Sequence, residues 1–94
     1  MQFEWDEDKN QSNQNKHGIG FDIAKLVFSD PLHLSVQDRF EDGEERWQTI
    51  GLVGGVVLIL VAHTYRLESG DEIVRIISAR KAIKRERMRY EQAD

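Results

Sequence analysis

Apolar positions change their spacing twice along this chain. Phe3 and Trp5 alternate with Gln2 and Glu4, which predicts a short first strand. Asp6 then opens a helix with Glu7 and Asp8 in its first turn. Lys16 and His17 suit its last turn, where cations meet the dipole, and Gly18 supplies the stop. No residue from Glu7 to Lys16 is apolar, so this helix has no stripe to bury. Such a helix bridges solvent, lies under a partner or is marginal. Phe21, Ala24, Leu26, Val27 and Phe28 predict a second, short amphipathic helix ended by Asp30-Pro31.

From Leu32 the period becomes two. Leu32, Leu34 and Val36 alternate with His33 and Ser35, placing His33 on the exposed face of a half-buried strand. Asp42-Gly43 is a turn signal, and Arg46 to Val53 is the next strand. Gly54-Gly55 reads as a two-residue hairpin connection. Val56 to Ala62 is apolar on both faces and should be the central strand of three antiparallel neighbours within Arg46 to Ser78. Glu68-Ser69-Gly70-Asp71 turns the chain into a strand from Ile73 to Ser78. A last helix is expected from about Ala79 to Glu91, with a thin apolar stripe and many cations. The fold class is α+β: a short N-terminal strand, two helices, an antiparallel sheet and a basic C-terminal helix, as one domain over 1–94.

Composition narrows the class without naming a function. The chain has 94 residues, 39% of them apolar, which fits one thin-cored globular domain. It has no cysteine, which excludes disulfides and thiolate metal sites. The N-terminus has no basic start or apolar core of a secretory signal, and the longest apolar run, Ile50 to Ala62, is too short to span a bilayer. A soluble, cytoplasmic protein without a membrane partner is expected. Charge is divided unevenly. Residues 1–74 hold 6 Lys/Arg against 14 Asp/Glu, net −8; residues 75–94 hold 7 against 3, net +4; together they give the chain's −4. A local positive surface on an acidic body can focus a phosphate in one place.

Motifs of well-known enzyme classes are absent. There is no phosphate loop, nucleophile elbow or His-Glu-x-x-His, and the three histidines lack ligand spacing, so no metal or cofactor is expected. The informative residues are His63 and Arg75. A connection centred near Ser69 puts His63 opposite Arg75, as Val61 lies opposite Ile77, and the arginine would lower the histidine's pKa. Alternatively, Arg75 pairs with a carboxylate such as Glu86, and a one-residue shift in the turn separates it from His63.

Phe3-Glu4-Trp5-Asp6, with Lys9, Asn13 and Lys16-His17-Gly18-Ile19, resembles the opening of the BrnT toxin family. The resemblance continues through Phe21, Ala24, Phe28, Asp30-Pro31, Gly43-Glu44-Glu45-Arg46-Trp47, Ile50-Gly51 and His63-Thr64. Its most specific block is Ile76-Ile77-Ser78-Ala79-Arg80-Lys81-Ala82 with Arg85-Glu86-Arg87 and Tyr90-Glu91. The resemblance implies a RelE-like ribonuclease fold and the toxin half of a type II toxin–antitoxin pair. It also implies a cognate BrnA-type ribbon-helix-helix antitoxin, through which alone DNA is met.

The mechanism that fits is metal-independent attack of a ribose 2′-hydroxyl on the adjacent phosphate of an RNA substrate, which inhibits translation. It needs a base, an acid and cations for the developing charge. Lys16, His17 and His63 are the candidates for proton transfer; Arg75, Arg80 and Arg85 for charge stabilisation. Tyr65, Arg66, Lys81, Lys84 and Arg85 are candidates for RNA binding, with Tyr65 or Trp47 stacking a base. Arg80 is expected just past the strand that carries Arg75, so that both reach one phosphate and loss of Arg80 spares the fold. The antitoxin is expected to cover part of Arg75 to Arg89 and the polar first helix. Two readings compete: a binding module whose cationic helix docks an acidic protein, and a DNA-binding regulator.

Overall fold

Each stretch of two-residue period becomes a strand. The computed structural model describes residues 1–92. It contains, in chain order, β1 (Gln2–Trp5), α1 (Glu7–His17), α2 (Phe21–Ala24) continued by a 3-10 turn (Lys25–Ser29), β2 (Leu34–Glu41), β3 (Glu44–Val53), β4 (Val57–Glu68), β5 (Asp71–Lys81) and α3 (Lys84–Gln92). The five strands form one sheet in the order β1-β5-β4-β3-β2, with β4 in the middle. The meander from β2 to β5 is antiparallel, as expected, and Arg46 to Ser78 supplies three of its neighbouring strands. The sheet is not wholly antiparallel, however. Gln2 to Trp5 pairs in parallel with Ile73 to Ile76 on the outer edge of β5. A long crossover through the helices frees β1 from the direction a hairpin would impose.

The hairpins turn where residues tolerate left-handed backbone: Asp42-Gly43, Gly54-Gly55 and Ser69-Gly70 all have positive φ. Between β3 and β4 the connection also takes in Val56, one residue more than a two-residue turn. At the other hairpin the turn is centred between Ser69 and Gly70, so Glu68 pairs with Asp71 and His63 with Ile76. A bulge beyond Ala62 then places Val61 opposite Ala79. His63 therefore does not face Arg75, whose partner is Thr64. The expected helix at Ala79 is also displaced. β5 runs on to Lys81, opposite Ile59, and the Ala82 N–H still donates to the Leu58 carbonyl at 3.0 Å. The long first half of β4 offers a pairing edge that overrides local helix preference.

One face of the sheet carries the main core. Ile59, Val61, Val74, Ile76 and Ala79 pack under Ile19, Phe21, Ala24 and Val27. Gly51 permits that closeness, because a Cβ there would lie 2.7 Å from both the carbonyl oxygen and Cγ1 of Val27. α3 packs against β3 on the other face, where Ile50 and Leu60 are buried.

α1 is held without an apolar stripe. Its buried Asn13 reaches the edge of β5 just past the end of β1. The amide Nδ2 donates to the carbonyls of Ala79 and Ile19, both at 2.9 Å, and Oδ1 accepts from the Ala79 N–H at 3.0 Å. One side chain thus stands in for a strand partner. Asn10 Oδ1 accepts the Phe21 N–H at 2.8 Å. The polar helix is explained within the chain, and no partner is needed to account for it.

Replacing Asn13 by Ala would strand three buried backbone groups, each worth about 1–3 kcal/mol. Asn13→Ala should lower unfolding free energy by about 2–4 kcal/mol in a denaturant titration. A loss under about 1 kcal/mol would show that α1 is docked by something else.

Candidate functional site

The sequence candidates are distributed over four regions. Lys16 and His17 are exposed at the end of α1 and border a shallow cleft of about 280 Å³ with Ile77 and Ser78. Lys81 lies by Leu58 and Arg87 at another. Lys84 and Arg85 are exposed on the first turn of α3. Arg75, Arg66, His63 and Tyr65 alone cluster near one end of β4, and they divide between the two faces of the sheet.

Arg80 is committed elsewhere. It sits within β5 opposite Leu60, and its guanidinium clasps Glu86 with two hydrogen bonds of 2.8 Å. Glu86 is buried and also accepts the Ile83 N–H at 3.0 Å, the reach-back that fixes a helix start. The Arg80 guanidinium holds the Glu86 carboxyl below its ordinary range. Thus Glu86 pairs with Arg80, not Arg75, and Arg80 anchors α3. The end of α3 is tied as well: the Tyr90 hydroxyl donates to Asp30 Oδ2 at 2.5 Å, which also accepts the Leu52 N–H at 2.8 Å. Burial opposes ionisation of Asp30, but these bonds and that from Leu32 together hold its carboxyl below the usual range. The hydrogen bond to Asp30 pushes the Tyr90 phenol up to about 12.

On the α3 side of the sheet, one row of directly opposed residues crosses four strands: Arg46, Thr64, Arg75 and Glu4. Arg75 Nη2 donates to Glu44 Oε1 at 2.6 Å, and Arg66 grips Glu4 at 3.0 and 3.2 Å. In the same row lie two buried polar atoms with no partner among the described residues, Arg46 Nε and Thr64 Oγ1. Both can donate, and burying such a group unpaired costs about 1–3 kcal/mol. Arg46 keeps only a long contact to Glu41, 3.8 Å. Glu44, Thr64 and Arg66 border a cleft of about 540 Å³. The Arg66 guanidinium at this cleft is bonded to Glu4 and Glu68, and the Thr64 hydroxyl lies shielded beneath its wall.

The helix-covered side of the same region holds His63, almost fully buried. Its ring meets Phe28 edge-on, with centroids 5.0 Å apart. Nδ1 lies 2.9 Å from the Thr64 carbonyl, an acceptor only, so Nδ1 carries the proton. In the neutral ring, Nε2 then accepts from the Thr49 hydroxyl at 2.7 Å, and Thr49 accepts from Ser35 at 2.7 Å. Burial lowers the His63 pKa, and the bond to the Thr64 carbonyl opposes this less strongly. The expected direction is present, but desolvation causes it and Arg75 does not. His33, expected to stand apart, borders the same cleft of about 230 Å³ as His63.

Sequence reasoning missed Glu44, Arg46 and Thr64. Glu44 and Arg46 are charges at alternate positions within a block that carried the resemblance, whereas Thr64, in another such block, carries no charge. No group of three or more metal-ligating side chains occurs among the described residues, and none of their helices is long and apolar enough to cross a membrane.

Comparison with known proteins bears on what this arrangement does. The family model described as ribonuclease toxin, BrnT, of type II toxin–antitoxin system matches residues 5–86. Among solved structures, the Brucella abortus ribonuclease toxin BrnT, determined at 1.1 Å, is similar with 28% identity and a TM-score of 0.61. The match covers 89% of this chain and 99% of that one. No curated protein matches.

Two measurements follow from these environments. His63 has a folded pKa below the unfolded 6.5, so the unfolded chain binds more protons as pH falls. Its contribution is complete above 6.5 and lost below; unfolding free energy should fall from pH 7.5 to 5.5, and His63→Gln should flatten that slope. An unchanged slope in the variant would mean His63 is not the titrating group. Arg80→Ala leaves Glu86 unpaired and should destabilise the fold by about 1–3 kcal/mol in a denaturant titration. A variant as stable as the parent would release Arg80 from its structural role.

Proposed function

The chain belongs to the BrnT family of ribonuclease toxins of type II toxin–antitoxin systems, and from that premise we propose that it cuts RNA at the row Arg46–Thr64–Arg75. The observation that carries this reading is the pair of buried, unpartnered donors flanked by arginines on one sheet face. Both atoms are shielded from solvent, so a backbone phosphate reaches them only where the side chains over them yield; it then supplies the acceptors that Arg46 Nε and Thr64 Oγ1 lack, and Arg75 supplies charge.

Glu44 is placed to act as base. It takes the proton of the ribose 2′-hydroxyl while that oxygen forms a bond to phosphorus. The bond from phosphorus to the 5′ oxygen breaks, and this oxygen leaves with a proton from water. The products are a 2′,3′-cyclic phosphate and a 5′-hydroxyl, with no metal in any step. Arg75 both holds Glu44 in place and stabilises the charge that develops on the equatorial oxygens. This site replaces the grouping of Lys16, His17, His63 and Arg80, whose members lie in separate regions.

The same reading puts the fold in the RelE-like class, supported by α1 and α2 on one sheet face and a charged row beside α3 on the other. It places the activity in the cytoplasm, where cleavage of RNA inhibits translation. A cognate BrnA-type ribbon-helix-helix antitoxin neutralises it, and DNA is met only through that partner. The exposed cations of α3, Lys84, Arg85, Arg87 and Arg89, offer an acidic partner a surface next to β5.

Purified protein incubated with RNA in EDTA should yield cyclic phosphate ends. Arg75→Ala and Glu44→Gln should each slow cleavage about 10²–10³-fold with the fold intact by circular dichroism. Thr64→Val should slow it about tenfold. Cleavage abolished by EDTA would overturn the metal-free route, and a fully active Arg75→Ala would remove the row from the site.

A further inference from the structure

The cleft on the other side of β4 has no part in the chemistry above. It holds about 230 Å³, below the roughly 300–1,000 Å³ of sites for drug-sized ligands and suited to one ring system. Its walls are aromatic: Phe28, Trp47 and Tyr65. Trp47 and Tyr65 also border the cleft of Glu44, Thr64 and Arg66, so the two depressions adjoin around these rings. A nucleotide whose phosphate lies in one can lay its base in the other.

The polar end of the cleft has a fixed sense. His33 Nδ1 lies 2.8 Å from the Asp30 carbonyl and must donate to it, which leaves Nε2 of the neutral ring as an acceptor. His63 Nδ1 is likewise committed to the Thr64 carbonyl. Its Nε2 takes the Thr49 proton, so Thr49 takes the Ser35 proton, and the exposed Ser35 Oγ turns only lone pairs to a ligand. The burial that keeps His63 neutral maintains this order. Two acceptors stand at the end of an aromatic slot.

We propose that this cleft is a nucleobase subsite that accepts hydrogen bonds through Ser35 Oγ and His33 Nε2, and so favours bases with an exocyclic amine over uracil. Adenine, cytosine and guanine present an N–H₂ group whose two protons can meet both acceptors, whereas uracil presents a single N3–H flanked by carbonyl oxygens that would face lone pairs. The rings supply stacking to any base, and the acceptor pair supplies the selection. The proposal deepens the ribonuclease reading by naming which nucleotides the site prefers, and it rests on that reading for its biological sense.

Nucleosides without phosphate test it independently of cleavage. The full chain, ¹⁵N-labelled at pH 8, is titrated with adenosine, cytidine and uridine while the Trp47 indole N–H and the ring signals of His33 and His63 are followed. The Trp5 indole, bonded to Glu7 at 3.3 Å, serves as the internal control. Adenosine and cytidine should shift the Trp47 and His33 signals and bind at least about fivefold more tightly than uridine, the worth of one hydrogen bond. Ser35→Ala, at an exposed position, should reduce that preference without unfolding the chain. Thr49→Val frees the Ser35 hydroxyl to donate and should raise uridine affinity toward that of cytidine.

Absence of any shift at Trp47 and His33 would overturn the subsite even if RNA is cleaved. Equal affinity for uridine and adenosine in the parent chain would overturn its acceptor character. Selective nucleoside binding by a protein that cuts no RNA would uphold the subsite and refute the ribonuclease reading.

Discussion

The Asn13 amide joins two parts of the molecule that backbone pairing leaves apart. β1 ends at Trp5, opposite Ile76, and the edge of β5 beyond it has no strand partner. Asn13 satisfies the Ala79 N–H and carbonyl there, and with its remaining proton binds the Ile19 carbonyl. The turn after α1 is thereby fixed to the sheet. Phe21 and Ala24 then drop into the core, and the 3-10 turn settles on β3 at Gly51. The consequence reaches the functional end of the molecule. Phe28, at the end of that turn, becomes the wall against which His63 packs. A polar contact more than sixty positions long in sequence thus sets the shape of an aromatic cleft.

A domain this small has little apolar area with which to hold three helices. It relies instead on a few buried polar fastenings, each made complete. Arg80, Glu86 and the Ile83 N–H fix the start of α3, while Asp30 ties Tyr90 to the N–H of Leu52. Single hydrogen bonds contribute modestly, but a partner left unpaired in a buried place costs more than the bond is worth. Such fastenings therefore specify one arrangement against its near alternatives. They also explain why α3 can expose so many cations without coming away from the sheet: its attachment depends on two side chains at its ends.

Strands and turns were legible because their signals are local. Alternation from Leu32 to Val36, apolar residues on both faces of Val56 to Ala62, and Gly-containing turns each act within a few residues, although the strands begin at Leu34 and Val57. The parallel placement of β1 and the extension of β5 past Ala79 were not, since both depend on an edge supplied from far away in sequence. The same division runs through the site. Arg75 stood out as a charge on an apolar strand, yet its partner is Glu44, because Arg80 had taken Glu86. His63 was visible as a histidine with a lowered pKa. Its neutrality comes from burial, which no spacing rule reports. Thr64 carries no signature of its own, and it acquires meaning only when the sheet sets it beside Arg75, as Glu44 does when that arginine bonds it.

Register is what divides the two clefts. Successive residues of a strand point to opposite faces, so His63 and Thr64, adjacent in β4, serve different sides of the sheet. Arg46 and Trp47 do the same in β3, directly across from Thr64 and His63. The left-handed Ser69 and Gly70 then decide which residue of β5 completes each row, placing Arg75 beside Thr64 and Ile76 beside His63. A slip of one residue would set Arg75 against the apolar rings and Ile76 among the arginines, exchanging a charge for a hydrophobe on both faces at once. Burial of an unpaired guanidinium makes that exchange costly. The cationic row and the aromatic cleft are therefore held in place by the same pairing, and neither can shift without the other.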